Sequence, residues 1–181
     1  MPNTPGILLP LFLLCAPFAV HAVDYDYVDG MLVSQDGPRD DYTGLGLRAA
    51  FPISPQLHVA GELLSTDAGN GIDIDRFDMA LGAGYHMPLN RTTDFVAQID
   101  FLRVDTDVGD DDGLRLGAGV RSQVAKQIEL RGFVQYVDVF DGELVVNLGA
   151  QYAISSAWAG FLELSEGDEF GGYLMGARFD F

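Results

Sequence analysis

His58 and His86 are the side chains best suited to acid–base work at neutral pH. A histidine beside Ser, Asp or Glu can activate a nucleophile or a water. Each sits next to a turn signal, Ser54-Pro55-Gln56 before His58 and Leu89-Asn90 after His86. Both count onto the same side of their segments as the charged residues, so they read as a hydrogen-bonded interior pair with no catalytic role. The run Asp105-Thr106-Asp107-Val108-Gly109-Asp110-Asp111-Asp112-Gly113 offers clustered carboxylates of the kind hard divalent cations prefer. It lacks the third alternating ligand and the later Glu of an EF-hand loop. Asp105, Asp107, Asp110, Asp111 and Asp112 are therefore read as a solvated acidic loop, with no metal assigned. Gly44-Leu45-Gly46 and Gly117-Ala118-Gly119 lack the third glycine that a nucleotide-binding loop carries before a helix. Cys15 is the only cysteine, which leaves no disulfide and no cysteine metal ligand. The expectation is a non-enzymatic protein with no cofactor.

The charge balance points the same way. The 181 residues hold 27 Asp and Glu against 10 Lys and Arg, a formal net charge of −17. Such acidity repels phosphate backbones, which excludes nucleic acid as a partner. A hydrophobic content of 48%, with 12 Phe and 7 Tyr, excludes a disordered acidic chain.

The ends of the chain set its address. Ile7 to Val20 form an apolar run too short, and too interrupted by Pro10 and Pro17, to span a bilayer as a helix. With Val20-His21-Ala22 offering compact residues at the cleavage positions, residues 1–22 read as a signal peptide, although no Lys or Arg precedes the run. Lipidation of Cys15 is disfavoured because Leu14, just before it, is not small. The mature protein, 23–181, is expected to leave the cytoplasm through the Sec pathway. At the other end Tyr173, Met175, Ala177, Phe179 and Phe181 occupy every second position, the period of a strand with one greasy face.

An internal repeat counts the strands. Leu47-Arg48-Ala49-Ala50-Phe51, Leu81-Gly82-Ala83-Gly84-Tyr85, Leu116-Gly117-Ala118-Gly119-Val120, Leu148-Gly149-Ala150-Gln151-Tyr152 and Met175-Gly176-Ala177-Arg178-Phe179 share one pattern. Their spacing is that of a hairpin, so each copy marks a second strand and five copies imply ten. The partner strands are the alternating segments opening at Leu57, Phe95, Ile128 and Trp158. The first strand is irregular. Tyr25, Tyr27, Met31 and Val33 share a face that Asp29 interrupts, which reads as a bulge or an exposed charge.

Links after the even-numbered strands are short (Ser54 to Gln56, Asn90 to Thr93, Lys126-Gln127, Ser155 to Ala157). Those after the odd-numbered strands are polar and mostly longer, including Asp36 to Tyr42, Ser65 to Asp75 and Asp105 to Asp112. These longer loops hold sixteen of the 27 acids, offset by Arg39 alone. The polar face is close to balance, with Arg48, Arg76, Arg115, Arg121, Arg131 and Arg178 beside Glu62, Asp78, Asp100, Glu129, Glu143, Glu163 and Asp180. A paired network inside a barrel is expected, because buried charges are tolerable only with partners. Leu64, Leu102, Phe161 and Leu174 share that interior, which points to a plugged lumen with an ion-sized conductance at most.

Alternation alone fits a membrane barrel or a soluble barrel holding a small apolar ligand. Aromatic clusters decide for the membrane: Phe51, Tyr85, Phe95, Tyr152, Trp158 and Phe179 fall at the turn pole, and Tyr42, Phe77, Phe101, Phe140 and Tyr173 at the loop pole. The fold expected is all-β, a ten-stranded antiparallel transmembrane β-barrel of outer-membrane type.

On these residues the chain resembles the small outer-membrane β-barrel proteins of Gram-negative bacteria. Its aromatic C-terminus resembles their assembly signal, assigned to Tyr173, Met175, Phe179 and Phe181. More narrowly, Tyr25-Asp26-Tyr27-Val28-Asp29-Gly30, the Leu-Gly-Ala-Gly strands and the closing Gly176 to Phe181 resemble vesicle-borne barrels of plant-associated bacteria linked to biofilm, motility and host recognition. The resemblance implies the barrel-assembly machinery and periplasmic chaperones as partners during biogenesis, and outer-membrane lipid and lipopolysaccharide afterwards. A monomer is expected, displaying acidic loops for adhesion, biofilm or host contact and also present in vesicles. A narrow channel is the alternative, and a lipid-modifying or proteolytic barrel the third.

Overall fold

The computed structural model describes residues 25–36, 41–68, 75–107, 109–139, 142–168 and 171–181. Residues 1–22, expected from sequence to be a signal peptide, lie outside the described residues with Cys15, as do Arg39, Asp40, Asp73, Phe140, Asp141 and Glu169.

Ten strands follow in order: β1 (Tyr27–Asp36), β2 (Asp41–Ser54), β3 (Leu57–Ala68), β4 (Asp75–Pro88), β5 (Thr93–Thr106), β6 (Gly109–Ala125), β7 (Ile128–Val137), β8 (Glu143–Ala153), β9 (Trp158–Glu166) and β10 (Gly171–Asp180). Each pairs antiparallel with its neighbours in sequence, and β1 pairs with β10 to close the barrel. Closure leaves no edge, which is what lets a sheet cross hydrocarbon, where an unpaired backbone group has no water to turn to. The five repeats fall on β2, β4, β6, β8 and β10.

The strands are steeply tilted. Tyr27, the first residue of β1, is level in register with Ala50, Ala60, Gly82, Asp100, Arg115, Val137 and then Glu143. That line starts at the turn pole and reaches the loop pole within eight strands, the stagger a closed barrel requires. Side chains alternate accordingly. Leu45, Leu47, Leu63, Leu81, Ile99, Leu116, Leu148 and Leu162 stand exposed on the outer wall, while Val96, Leu102, Asp100 and Arg178 are buried inside. Phe51, Tyr85, Tyr152 and Trp158 are exposed near the turn pole, and Phe77, Phe101 and Tyr173 toward the loop pole. The two bands bound an apolar belt.

Three expectations are corrected. The first strand has no bulge at Asp29: its register with β2 and β10 is unbroken, and the Tyr25 to Val33 face is the lumen face. Asp29 is fully buried, neither bulged nor exposed. Secondly, the loop-pole connections are short, since the strands continue past the belt; β5 and β6 leave only residues 107–108 between them. Asp105, Asp110, Asp111 and Asp112 therefore belong to a paired hairpin, where only a loop was expected. A spanning strand needs roughly 9–11 residues, and the 14 and 17 residues of β5 and β6 exceed that. Outside the bilayer a paired strand carries aspartate on either face at little cost. Thirdly, Tyr42 is not in the loop-pole girdle. It shares the inward side of β2 with Arg48, and the Arg76 guanidinium lies 6.0 Å from its ring centroid.

Candidate functional site

The lumen is built from the charged faces of almost every strand. Asp29 on β1 stands directly opposite Arg178 on β10 and Arg48 on β2. Arg178 donates to it from Nε at 2.7 Å and Nη2 at 2.9 Å, and Arg48 from Nε at 3.0 Å and Nη2 at 2.9 Å. Asp29 and Arg178 are both 0% exposed, and the Arg178 guanidinium lies 3.4 Å from the Tyr27 ring centroid. The network continues through Glu163 on β9, which accepts from both Arg48 and Arg131. It reaches Glu62 on β3, 3.9 Å from Arg48, and then Arg115, which donates to Glu62 at 3.1 Å and to Asp100 at 2.7 Å. Gln98 also donates to Asp100, at 2.8 Å.

Two further pairs complete the interior: Arg121 donates to Glu129 at 2.8 Å, and Arg76 to Asp78 at 2.8 Å. All ten residues assigned from sequence to a lumen network thus lie in the lumen. Seven of the ten join one connected set together with Asp29; Arg121–Glu129 forms one separate pair, and Asp78 pairs with Arg76. Glycines of the repeat make room for these long side chains. A Cβ at Gly149 would lie 2.7 Å from Arg131 Cγ, and one at Gly84 would collide with the His58 ring.

Next to the polar network, Met31, Val33, Leu64 and Phe161 pack together with Leu174 against them. A cavity of about 260 Å³ runs along the lumen, lined from Gln35, Val139 and Glu143 toward the loop pole down to Tyr25 and His58 at the turn pole.

His58 and His86 face inward at the turn pole, both 4% exposed, with ring centroids 5.7 Å apart. Against both rings packs Tyr25, which the sequence did not mark as part of this cluster. Its ring stacks on His86 at 3.9 Å and 4°, and on His58 at 4.7 Å and 24°. Asp94, also buried here and also missed, accepts from the Tyr25 hydroxyl at 3.4 Å. The signal for both was parity: Asp94 is six residues from Asp100, and Tyr25 four from Asp29.

The loop-pole rim carries much of the remaining charge. Asp36 is opposite Asp41 and Asp105 opposite Asp110, so two loop-pole hairpins place like charges in register, and Asp67 stands near the loop-pole end of β3. Such pairs are unfavourable unless a cation lies near. Arg103, absent from the sequence assignments, supplies one. On the outer wall of β5 it pairs with Asp105 at 2.9 Å, Asp110 at 3.4 Å and Asp112 at 3.6 Å. Asp107 lies in the connection itself and Asp111 on the opposite face of β6. Among the described residues no group of three or more His, Cys, Asp or Glu is arranged to hold a metal by itself.

At the C-terminus Tyr173 and Met175 are exposed on the outer face. Phe179 lies 5.0 Å from Trp158 and 5.2 Å from Phe181, which in turn stacks at 6.2 Å on Phe51. The four residues assigned to an assembly signal thus line one wall of β10 and its end.

An apolar belt outside, ion pairs inside and a closed ten-strand ladder define a transmembrane β-barrel. The model of the outer membrane protein beta-barrel domain matches residues 7–170, and the chain belongs to that family, which places it in the outer membrane. Among solved structures, a KdgM porin is 12% identical with a TM-score of 0.53, over 86% of this chain and 99% of its own. A NanC porin is 11% identical with a TM-score of 0.51, over 85% of this chain and all of its own. At such identities the likeness is one of fold. No curated protein matches the chain in sequence.

Proposed function

We propose that the protein is a non-enzymatic outer-membrane barrel whose acidic rim meets the cell surface, binding lipopolysaccharide phosphates through shared divalent cations. The observation that carries this reading is the rim of opposed aspartates, Asp36 with Asp41 and Asp105 with Asp110, with Arg103 beside the second pair. A divalent ion between two such carboxylates relieves their repulsion and keeps coordination positions for phosphate oxygens, because hard cations take six or more oxygen ligands. The lumen supports the same reading from the other side. Its charges are spent on one another, and Tyr25 is buried against the two histidines at its turn-pole end. Both histidines lie at the turn pole, away from the outer rim where a surface enzyme would need them.

Adhesion, biofilm and host contact are the roles such a rim serves, and Sec export, display on vesicles and a monomeric state go with it. The resemblance to vesicle-borne barrels rests on the short terminal motifs. A narrow channel is the second reading, favoured by the cavity along the lumen and by the fold shared with porins.

Changing Asp36, Asp41, Asp67, Asp105 and Asp110 together to Asn is expected to weaken calcium-dependent binding of lipopolysaccharide by about ten-fold or more, equivalent to about 1.4 kcal/mol. A chelator should do the same to the unaltered protein. Titration of lipopolysaccharide onto the barrel in nanodiscs measures both. Binding that ignores chelator and substitutions alike contradicts the proposal.

A further inference from the structure

The lumen cavity reaches the turn pole, where Tyr25, His58 and Arg121 are among the residues that line it. Tyr25 precedes β1, whose first ladder pair is Tyr27 with Asp180 and Ala50, so the Tyr25 backbone is not held in the sheet. Its side chain nevertheless turns into the barrel and is only 6% exposed. What holds it comes from across the mouth. His58 stacks from β3 and His86 from β4, while Asp94 on β5 accepts its hydroxyl and the Arg121 guanidinium on β6 lies 4.6 Å from its ring centroid. Val96 and Phe133 pack against it on β5 and β7. These are individually weak contacts converging on one ring, each of a kind that a rotation about the Tyr25 side chain would break together. The ion-pair network differs: it is fixed to strand interiors and leaves the cavity beside it.

We propose that Tyr25 is a releasable stopper at the turn-pole mouth, and that its withdrawal turns the closed barrel into a narrow, water-filled ion path. A residue anchored outside the sheet can leave without breaking any strand pair, which fits a gate better than a structural plug.

Single-channel recording in planar bilayers tests this with the full barrel. The unaltered protein should be nearly silent. Tyr25→Ala should show discrete, ion-sized steps, and Tyr25→Phe, which keeps the ring, should stay closed. His86→Ala removes the nearest stacking partner while leaving the tyrosine. It should raise the open fraction about five-fold, the equivalent of one aromatic pair, with the same unitary step as Tyr25→Ala. The His86→Ala variant keeps the test decisive if Tyr25→Ala fails to fold. Silence of a correctly folded Tyr25→Ala protein would overturn the proposal. So would steps of equal size and frequency in the unaltered barrel, or a Tyr25→Phe protein as open as Tyr25→Ala.

Discussion

Asp29→Ala is expected to cost the barrel about 3–5 kcal/mol, the range for removing one partner from a buried ion pair. The substitution strands two guanidiniums at once. Arg178 loses its carboxylate, and Arg48 keeps only Glu163 and the more distant Glu62. The location adds to the effect, because Asp29 joins β10 to β1 and β1 to β2 and so bridges the seam that closes the barrel. Urea titration of the folded form in lipid vesicles, read as the fast-migrating unboiled band on a gel, measures the loss. A change below about 1 kcal/mol, as for a solvent-exposed pair, would mean that water reaches the triad. Replacing Asp29, Arg48 and Arg178 together by apolar residues of similar volume should recover much of the stability, since an intact buried ion pair gains little over well-packed hydrophobic groups.

The second large effect concerns the outer wall. Leu81 is 66% exposed and lies midway along β4 between Phe77 and Tyr85, one from each girdle. Leu81→Arg should destabilise the barrel by about 2–4 kcal/mol, the cost of arginine at the bilayer midplane, while Leu89→Arg, beyond the turn-pole end of β4, should cost about 0–1 kcal/mol. Unfolding titrations of both variants in the same vesicles make the comparison. Equal, small losses would contradict a hydrocarbon-facing belt, because a water-facing leucine yields to arginine without penalty.

The strand count was legible because the repeat is one hairpin long and the turn residues are distinctive. Pro55-Gln56 and Lys126-Gln127 connect strands where the alternation breaks. The lumen network was legible for a related reason: within the belt, only one face of β2 to β10 carries charge, so parity assigns it. Parity fails on β1, where Val28 and Leu32 face out and Tyr27, Met31 and Val33 face in. With apolar residues on both faces, only Asp29 marks the inner side, and it gains that meaning once Arg48 and Arg178 are seen beside it. Loop lengths were illegible in another way. Aspartate disfavours strands as an average, but above the belt the ladder hydrogen bonds persist and the outward side chains are solvated. The role of Arg103 was illegible because its partners lie outside the belt at positions that read as loop, two of them across the hairpin on β6. Tyr25 looked like the start of an outer face, and only closure of the barrel turned it into the lumen.

The arrangement as a whole, apolar outside and ionic inside, is tested most directly through the one tryptophan of the chain. Trp158 opens β9 on the outer wall, 51% exposed and beside Phe179 in the turn-pole girdle. Its fluorescence should be quenched by lipids brominated along the acyl chain, most strongly by those brominated near the headgroup, and poorly by iodide in water. Emission that brominated lipids leave unchanged while iodide quenches it fully would contradict a lipid-facing wall.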